Sequence, residues 1–245
     1  MARDYTLDNG YGTTARLGMI VLSTDETIEN EARRVMDRPG ISLLHARIPA
    51  HADVTPQTLA LMEAEMPGTA ALLPAGLDAV AYACTSGATV IGSDVVARHI
   101  QSAHPDAAVT DPAVAVTAAL EALGARRIAL VTPYLASVTE PIRARLKRSG
   151  IETVAEQSFG EKDDWTVARI TEAATLDAIR AAAGEADCDA IFASCTNLRS
   201  FGIIETAERE LGLPVISSNL ALVWHLLRLA GVEARGWGPG RLFGV

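Results

Sequence analysis

The sequence predicts an α/β protein made of two related halves, each with one cysteine-bearing strand. A repeat is the first evidence, because residues 78–85 (DAVAYACT) return without a gap as residues 189–196 (DAIFASCT), 111 positions later. Residues 16–21 align with residues 127–132 at the same offset. Short apolar runs alternate with helical patterns, which is typical of α/β proteins. Each copy of the repeat is therefore expected to be a buried strand that delivers a thiol to the loop at its carboxyl end.

The repeat also divides the chain into segments. They are an N-terminal arm (1–15), a first α/β half with its crossover (16–111), a second α/β half (112–225), and a C-terminal helix end and tail (226–245). The arm is polar and rich in glycine and threonine, and the sequence leaves its order open. Two halves of about 110 residues each are long enough to bury a substantial core together.

Composition argues against several classes of function. The chain has 245 residues, of which 49% are hydrophobic, and a net charge of −9 without a basic stripe, which disfavours a nucleic-acid partner. No apolar run approaches the roughly 20 residues of a membrane span, so no membrane association and a cytoplasmic location are expected. The three cysteines are odd in number and include no close pair, which predicts free thiols and no metal site.

Apolar runs and capping residues predict the elements of the first half. In order, they are a strand at 17–22, a helix at 28–36, a strand at 41–47, a helix at 56–65, a strand at 80–83 and a helix beginning at 86–89. Pro56 starts its helix in the first turn, where proline is permitted. A long alanine-rich helix begins at 109–112 and stops at Gly124.

The second half shows the same alternation of strands and helices. The predicted strands are 128–131, 152–157, 190–193 and 215–217, and the predicted helices are 140–148, 176–183, 203–211 and 221–229. The helix at 140–148 carries a basic face, which is most simply a solvated surface. The final strand and helix correspond to the apolar stretch that closes the first half.

Cys84 and Cys195 end equivalent strands and are the candidate catalytic residues. A helix is predicted behind each of them, and helix N-terminal amides stabilise a thiolate. We therefore expect both thiols to ionise more readily than a free cysteine, whose pKa is about 8.5. Two thiols facing one carbon can act as base and acid, or one can add covalently while the other moves a proton. The alternative is that both are small buried hydrophobic residues.

The loop after the first strand supplies further candidates, because open α/β sheets place ligands at the carboxyl ends of their strands. Ser23 and Asp25 lie in this loop, although they can equally serve only to cap the following helix. Pyridoxal chemistry needs a buried lysine, and the only lysines, Lys147 and Lys162, are expected on a solvated helix and in a loop. A reaction without a cofactor is therefore expected.

The residues around the two thiols, 84–87 (CTSG) and 194–199 (SCTNLR), resemble motifs of the aspartate/glutamate racemase superfamily. The likeness is to the branch of maleate cis-trans isomerases and arylmalonate decarboxylases, and it spans about residues 16–231. The resemblance implies two Rossmann-like halves related by a pseudo-twofold axis, with mainly parallel sheets, an active site between the halves, and no cofactor.

The same resemblance suggests a role for each site residue. Cys84 would be the nucleophile or first base, and Cys195 the second acid or base. The residues that would bind a substrate carboxylate are Thr85, Ser86, Thr196 and Asn197. Tyr134, which follows the first strand of the second half, would correspond to the tyrosine of the family's site.

Two departures from the family pattern bear on the substrate. Decarboxylases of this branch carry glycine at the first cysteine position, so Cys84 argues against decarboxylation. Maleate isomerases typically carry asparagine where this chain has Asp25, and again near Asp164. A carboxylate about 4 Å from a dianionic substrate costs on the order of 1–4 kcal/mol. The two acids favour a substrate with an amino or other cationic group, as handled by amino-acid racemases and by the isomerase-like proteins of ectoine utilisation, which the chain also resembles.

The sequence therefore predicts a cofactor-independent isomerase that uses a pair of cysteines on a small carboxylate substrate, in the manner of maleate cis-trans isomerase. The alternative is a two-base racemase or epimerase for aspartate, glutamate or an ectoine-derived amino acid. A decarboxylase and a non-catalytic carboxylate-binding protein are further alternatives. A homodimer is expected from base rates for acidic, apolar α/β proteins of this size.

Overall fold

A computed structural model describes residues 2–245 and places eight strands in two sheets. The strands of the first sheet are β1 (Ala15–Leu22), β2 (Ile41–Ile48), β3 (Ala79–Ala83) and β4 (Ala108–Thr110). Those of the second sheet are β5 (Arg127–Thr132), β6 (Glu152–Ser158), β7 (Ala190–Ala193) and β8 (Val215–Ser217). The orders are β2-β1-β3-β4 and β6-β5-β7-β8, and every neighbouring pair is parallel. The predicted fold of two equivalent parallel α/β halves is confirmed.

Helices connect consecutive strands, as parallel pairing requires. The helices before β5 are α1 (Ile28–Met36), α2 (Pro56–Ala70), α3 (Thr85–Ile91), α4 (Ser93–Gln101) and α5 (Pro112–Ala122). In the second half they are α6 (Ala136–Arg148), α7 (Asp164–Val167), α8 (Glu172–Glu185), α9 (Ile204–Leu211) and α10 (Ser218–Leu229), followed by a 3₁₀ helix (Arg241–Gly244). No helix among residues 2–245 is long and apolar enough to cross a membrane.

The aspartate that opens each copy of the repeat has a structural role. Asp78 Oδ2 accepts a hydrogen bond from the backbone N–H of Arg16 at 2.7 Å, and Asp189 Oδ2 accepts one from the N–H of Arg127 at 2.7 Å. Each carboxylate thereby joins the start of β3 or β7 to the start of the central strand of its sheet. The apolar residues that follow in β3 and β7 are buried. The repeat therefore encodes the register of the two cysteine-bearing strands.

Several predicted elements differ from the observed ones. Helix α2 continues through Pro67 to Ala70, past the predicted end at residue 65, because Met66, Thr69 and Ala70 are buried on its inner face. Helix α4, the one-turn helix α7 and the 3₁₀ helix were not predicted. The start of the predicted helix at 109–112 includes part of strand β4, whose three residues are too few to produce an alternating pattern.

The last helix of each half packs against the other half as well as against its own. Helix α10 follows β8 in the chain, yet it packs against β3, β4 and α1 of the first half as well as against β8. Helix α5 follows β4 and packs against α10 and β8. The predicted domain boundaries stay a prediction. Residues 2–14 contain no helix or strand, so the observed arm ends one residue earlier than the predicted one.

Candidate active site

The two cysteines lie at the carboxyl ends of equivalent strands and line one pocket between the halves. Cys84 follows β3 and is 3% exposed, whereas Cys195 lies just beyond β7 and is 4% exposed. The pocket is a small cavity of about 20 Å³. Its lining consists of Leu22, Ala50, His51, Val54, Thr58, Leu59, Met62, Cys84, Ser86, Tyr134, Asp164, Cys195 and Thr196. Two thiols and a carboxyl group therefore share a site whose other lining residues are half apolar and half polar.

Cys84 is the N-cap residue of helix α3, as the sequence predicts. Its backbone is extended, with φ −150°, and its sulfur accepts a hydrogen bond from the N–H of Gly87 at 3.2 Å. The Ser86 hydroxyl lies 3.7 Å from the same sulfur, and the buried Tyr82 hydroxyl faces it while donating to Met62 Sδ at 3.4 Å. The Cys84 sulfur thus accepts one backbone hydrogen bond and lies beside two hydroxyl groups.

Cys195 has a different backbone environment. The predicted helix at 203–211 is observed as α9, but it does not begin directly after Cys195, so the expected helix N-terminal amides behind this thiol are wrong. Helix α9 begins at Ile204, and residues 196–203, which we call the post-Cys195 segment, form turns instead. Cys195 has φ 131°, the only positive φ of a non-glycine residue among residues 2–245. Such a conformation costs on the order of 1–3 kcal/mol and persists only where the surrounding structure holds it. Its sulfur accepts a hydrogen bond from the N–H of Asn197 at 3.3 Å.

Burial raises the pKa of both thiols by more than the neighbouring hydrogen-bond donors lower it. The expectation of easily ionised cysteines is therefore wrong. Removal from water raises the pKa of Cys84 to about 11, although the Gly87 amide and the Ser86 hydroxyl lower it. Burial raises the pKa of Cys195 well above its ordinary value, and the carboxylate of Asp164 raises it further. The Tyr134 hydroxyl acts in the opposite direction on Cys195. Both residues are therefore protonated thiols at neutral pH when the pocket is closed.

The threonine that follows each cysteine contacts the opposite half of the molecule. Thr85 Oγ1 donates to Ser218 Oγ at 2.7 Å, and this Ser218 oxygen also accepts the backbone N–H of Cys195 at 3.0 Å. Thr196 Oγ1 donates to the carbonyl oxygen of Ala83 at 3.3 Å. The two cysteine loops are therefore hydrogen-bonded to each other across the pseudo-twofold axis. Thr196 lines the pocket, and Thr85 lies behind its wall.

The β1–α1 loop contributes structure around the pocket. Ser23 is exposed and bonds to the backbone of Ala50, outside the pocket lining. Asp25 is buried and caps α1, because its Oδ1 accepts the N–H groups of Thr27 at 2.8 Å and Ile28 at 2.9 Å. The Thr196 hydroxyl lies near the Asp25 carboxyl group but donates to the Ala83 carbonyl oxygen, and Asp25 Oδ2 has no partner among the described residues. Burial raises the pKa of Asp25 to about 6.

Asp164 begins helix α7 and lines the pocket. Its Oδ2 accepts the Thr24 hydroxyl at 2.5 Å, and burial raises its pKa above the ordinary value. Asn197 lies behind Asp164 and donates to its carbonyl oxygen at 2.9 Å, while the Asn197 side-chain oxygen accepts the N–H of Glu26 at 2.9 Å. The Asn197 side chain therefore joins the post-Cys195 segment to the β1–α1 loop. A role for it in substrate binding stays a prediction.

Two equivalent loops meet over the cysteines. The loop between β2 and α2 and the loop between β6 and α7 form an antiparallel bridge at Asp53 and Asp163. The N–H of Val54 donates to Lys162 O at 2.8 Å, and the N–H of Asp164 donates to Ala52 O at 2.9 Å. This pairing encloses the cavity, which has room for about one water molecule.

Sequence reasoning missed part of the site. The wall formed by α2 was not predicted to face the thiols, although Leu59, Met62 and Met66 recur at helical spacing and indicate a buried face. Tyr82 carried no signal beyond its place in an apolar strand. Ser218 could have been found from its position at the start of a helix directly after a strand. No group of three or more His, Cys, Asp or Glu side chains in residues 2–245 is arranged to hold a metal ion.

The fold and the site together define a class of two-lobed α/β proteins with a pocket between the lobes, and in this chain one cysteine from each lobe lines that pocket. Within that class, residues 17–243 match the family model described as arylmalonate decarboxylase. The chain belongs to this family. The predicted resemblance to the maleate isomerase and arylmalonate decarboxylase branch is therefore confirmed.

Characterised relatives cover nearly the whole chain. The maleate isomerase of Nocardia farcinica is 30% identical over 239 residues, which are 93% of this chain and 94% of the relative. The crystal structure of the maleate isomerase Iso from Pseudomonas putida S16 matches with a TM-score of 0.84 and 26% identity, covering 94% of this chain and 98% of that one. A Cys-to-Ser mutant of the Nocardia farcinica maleate cis-trans isomerase, with a covalently bound succinylcysteine intermediate, matches with a TM-score of 0.80 and 29% identity over 94% and 98% of the two chains.

Proposed function

We propose that this protein is a cofactor-independent cis-trans isomerase that uses Cys84 and Cys195 on maleate or a closely related unsaturated carboxylate. The observation that carries the proposal is the pair of thiols at equivalent strand ends, both lining one enclosed pocket. Relatives named as maleate isomerases support it, and one of them was crystallised with a succinylcysteine intermediate. That intermediate is the species expected when a cysteine adds to the double bond of maleate.

In the proposed reaction, the S–H group of Cys84 adds across the double bond. The sulfur bonds one alkene carbon, the other carbon takes a proton from Cys195, and the proton that leaves Cys84 restores the Cys195 thiol. Rotation about the new single bond then brings the two carboxylates to opposite sides. Removal of the same proton and cleavage of the C–S bond release the trans product and regenerate both thiols.

The environments of the two sulfurs support this division of roles. Cys84 has a helix N-terminal amide and a hydroxyl group beside its sulfur, which stabilise negative charge during attack. Cys195 has the carboxyl groups of Asp164 and Asp25 nearby, and their charge raises its pKa. The residue that ionises more readily is therefore the nucleophile. The other is a proton donor.

Substrate binding is proposed for the polar residues that line the pocket. Ser86 and Thr196 supply hydroxyl groups beside the two cysteines, and the Tyr134 hydroxyl faces the Cys195 sulfur. The cavity is smaller than a four-carbon dicarboxylate. The paired loops above it therefore separate when the substrate enters.

The protonation state of the buried acids determines whether a dianionic substrate can bind. Burial raises the pKa of Asp25 to about 6 and moves the pKa of Asp164 in the same direction. A substrate carboxylate nearby raises both further, because like charges disfavour ionisation. In the proposed complex with maleate the two acids are protonated, and Asp164, which lines the pocket, can then donate a hydrogen bond to the substrate.

The buried oxygen of Asp25 without a partner supports a second candidate function. A substrate ammonium group beside Asp25 Oδ2 and Asp164 would supply that missing partner. In this case the two thiols would act as opposite bases of an amino-acid racemase or epimerase. One thiolate would remove the α-proton, and the opposite thiol would return a proton to the other face. Aspartate, glutamate and ectoine-derived amino acids are the proposed substrates of this type, and they would place the protein in ectoine utilisation.

Proton NMR in deuterated buffer separates the two functions. The panel contains maleate, both enantiomers of aspartate and glutamate, and ectoine-derived amino acids. Fumarate formed from maleate establishes the cis-trans isomerase. Deuterium entering the α-position of an amino acid, with maleate untouched, contradicts it and establishes the racemase. Cys84→Gly, which leaves one thiol, should abolish isomerisation, and unchanged turnover in that variant would remove the role given to Cys84.

We also propose a cytoplasmic location and a homodimer. A reducing compartment is supported by the chemistry, because the reaction needs Cys84 and Cys195 as free thiols. The dimer rests on base rates for acidic, apolar proteins of this size. Sedimentation equilibrium across a range of protein concentrations tests the dimer directly, and a single monomeric species at all concentrations would contradict it.

A further inference from the structure

Glu31 is a buried carboxyl group that does not line the pocket, and the reaction described above does not use it. It lies on α1 in the first half and is 6% exposed. All of its hydrogen-bond donors come from the second half. Its Oε1 accepts the backbone N–H groups of Ser200 at 2.7 Å and Phe201 at 2.9 Å. Its Oε2 accepts Asn219 Nδ2 at 2.7 Å and lies 3.5 Å from the Ser200 hydroxyl.

Asn219 extends this set of contacts to the residue next to Cys195. The same amide nitrogen that donates to Glu31 also donates to the carbonyl oxygen of Thr196 at 2.8 Å. Asn219 belongs to the first turn of α10, directly after the Ser218 hydroxyl that accepts the N–H of Cys195. A continuous series of hydrogen bonds therefore joins Glu31 to both ends of the post-Cys195 segment.

Helix α1 contacts this segment at two points on one face. Thr27 Oγ1 donates to Asn197 O at 2.9 Å, and Glu31, four residues later, accepts from Ser200 and Phe201. Residues four apart lie on the same side of a helix. The segment is thus bound along one face of α1, although it belongs to the other half of the protein.

The equivalent segment after Cys84 needs no such contact. There, helix α3 begins at Thr85, and the backbone amides that follow bond within the helix or to the Cys84 sulfur. The post-Cys195 segment has no helix, so its amides at Ser200 and Phe201 need another acceptor in the buried interior. The Glu31 carboxylate is that acceptor. Cys195 also has the positive φ that the surrounding structure must maintain.

From this arrangement we infer that Glu31 is a positioning residue for Cys195. It acts from the opposite half by holding the post-Cys195 segment, which keeps the Cys195 backbone in its positive-φ conformation and the thiol directed into the pocket. The inference rests on the proposed function only in taking Cys195 as the proton-moving thiol. Glu31 itself does not touch the reacting atoms.

Glu31→Gln is the informative variant, because it preserves the size of the side chain. The glutamine oxygen can still accept from Ser200 and Phe201, but its NH₂ group then faces the NH₂ group of Asn219. Asn219 must rotate its amide to avoid two opposed donors, and Thr196 O loses its partner. Burial raises the pKa of Glu31 to about 7, so the group is mainly the carboxylate only above that pH. Hydrogen bonds to a charged group stabilise by more than neutral ones, so above about pH 7 glutamine should hold the segment less tightly.

Alkylation of the two thiols in one molecule measures the effect without any substrate. The protein is treated with iodoacetamide for increasing times, and the fractions of modified Cys84 and Cys195 are read from their separate peptides by mass spectrometry. In E31Q we expect Cys195 to react about tenfold faster than in wild type, while Cys84 changes by less than about twofold. Cys84 is the internal reference for global loosening.

Glu172→Gln is the matched control. The Glu172 carboxylate accepts the N–H of Gly202 at 2.7 Å, so it also binds the post-Cys195 segment, but it does so from the exposed side and from the second half. We expect E172Q to keep the wild-type ratio of alkylation rates. In E31Q, kcat for the proposed isomerisation should fall about tenfold with KM changed by less than about threefold.

Three results would overturn the inference. They are an unchanged alkylation ratio in E31Q, a parallel increase at both cysteines, or an equal change in E172Q. A wild-type protein that converts neither maleate nor an amino acid would contradict the proposed function, yet the alkylation ratio would still test the role of Glu31. The two failures are therefore distinguishable.

Discussion

Cys84 and Cys195 occupy equivalent positions in two halves with the same strand order, yet their surroundings differ. Cys84 caps a helix in an ordinary extended conformation and accepts a hydrogen bond from Gly87. Cys195 precedes a segment without a helix, has φ 131°, and lies near the carboxyl groups of Asp25 and Asp164. Duplication of the strand therefore did not preserve the chemistry around the thiol.

In the proposed reaction, this difference lets one fold give two roles to the same side chain. Donors at Cys84 favour its thiolate, whereas carboxylates at Cys195 favour the neutral thiol. A nucleophile and a proton donor require these opposite biases. The asymmetry resides in the residues outside the repeat, which explains why the matched motifs alone do not reveal which cysteine attacks.

The largest expected effect is on turnover of the two single cysteine variants. Both Cys84→Ser and Cys195→Ser should lower kcat for isomerisation by about 10³-fold or more, because each removes a group that takes part in bond making or proton transfer. Steady-state assays of fumarate formation measure this loss. If either variant retained wild-type kcat, the two sulfurs would not share the reaction.

A second prediction concerns the carboxyl group near Cys195. The pKa of Asp25 rises from 3.8 to about 6 on folding, so between these values the native state binds more protons than the unfolded state. The free energy of unfolding should therefore fall as pH rises from about 4 to 6, by about 3 kcal/mol from this group.

Urea unfolding at several pH values measures the dependence on Asp25. Asp25→Asn retains the oxygen that accepts from Thr27 and Ile28. The variant should therefore remain folded and lose this part of the pH dependence. An identical pH profile in wild type and D25N would show that the carboxyl group is not perturbed by burial.

The unusual backbone of Cys195 gives a third, smaller effect. Cys195→Gly should be more stable than Cys195→Ala by about 1–2 kcal/mol, because only glycine adopts positive φ without steric cost. At Cys84, where φ is −150°, the glycine variant should be no more stable than the alanine variant. Thermal unfolding of the four variants measures the two differences in stability. Equal differences at the two sites would contradict the asymmetry.

The smallest expected effect is a difference between the two thiols in how far their pKa values depend on Asp164. Asp164 is the first charged contributor to the raised pKa of Cys195, whereas at Cys84 its influence follows those of burial and two donors. Asp164→Asn should lower the pKa of Cys195 by more than that of Cys84. The pH dependence of alkylation at each cysteine measures both values, and an equal decrease would place Asp164 symmetrically between the sulfurs.

The fold could be predicted because the information lies in local patterns. The alternation of buried strands with helices, and the aspartate at 78 and 189 that fixes strand register, are visible in the sequence. The short elements β4 and α7 were not predicted, because they have only three and four residues. Patterns of this length do not distinguish a strand or helix from a loop.

The site could be predicted only in part, since several of its determinants are contacts between distant residues. The paired cysteines followed from the repeat, and six of the ten predicted site residues line the pocket. The high pKa values of both thiols depend on burial by α2 and on Asp164, which no local pattern reports. The contact between Glu31 and residues 200–201 spans about 170 positions and two halves.

Intact-protein mass spectrometry of the serine variants with maleate tests the central claim most directly. If Cys84 attacks and Cys195 moves the proton, Cys195→Ser should accumulate a species heavier than the protein by one maleate, and peptide mapping should locate it on Cys84. Cys84→Ser should form no such species under the same conditions. An adduct on Cys195 in the Cys84→Ser variant, with none on Cys84 in the Cys195→Ser variant, would reverse the roles and contradict the account.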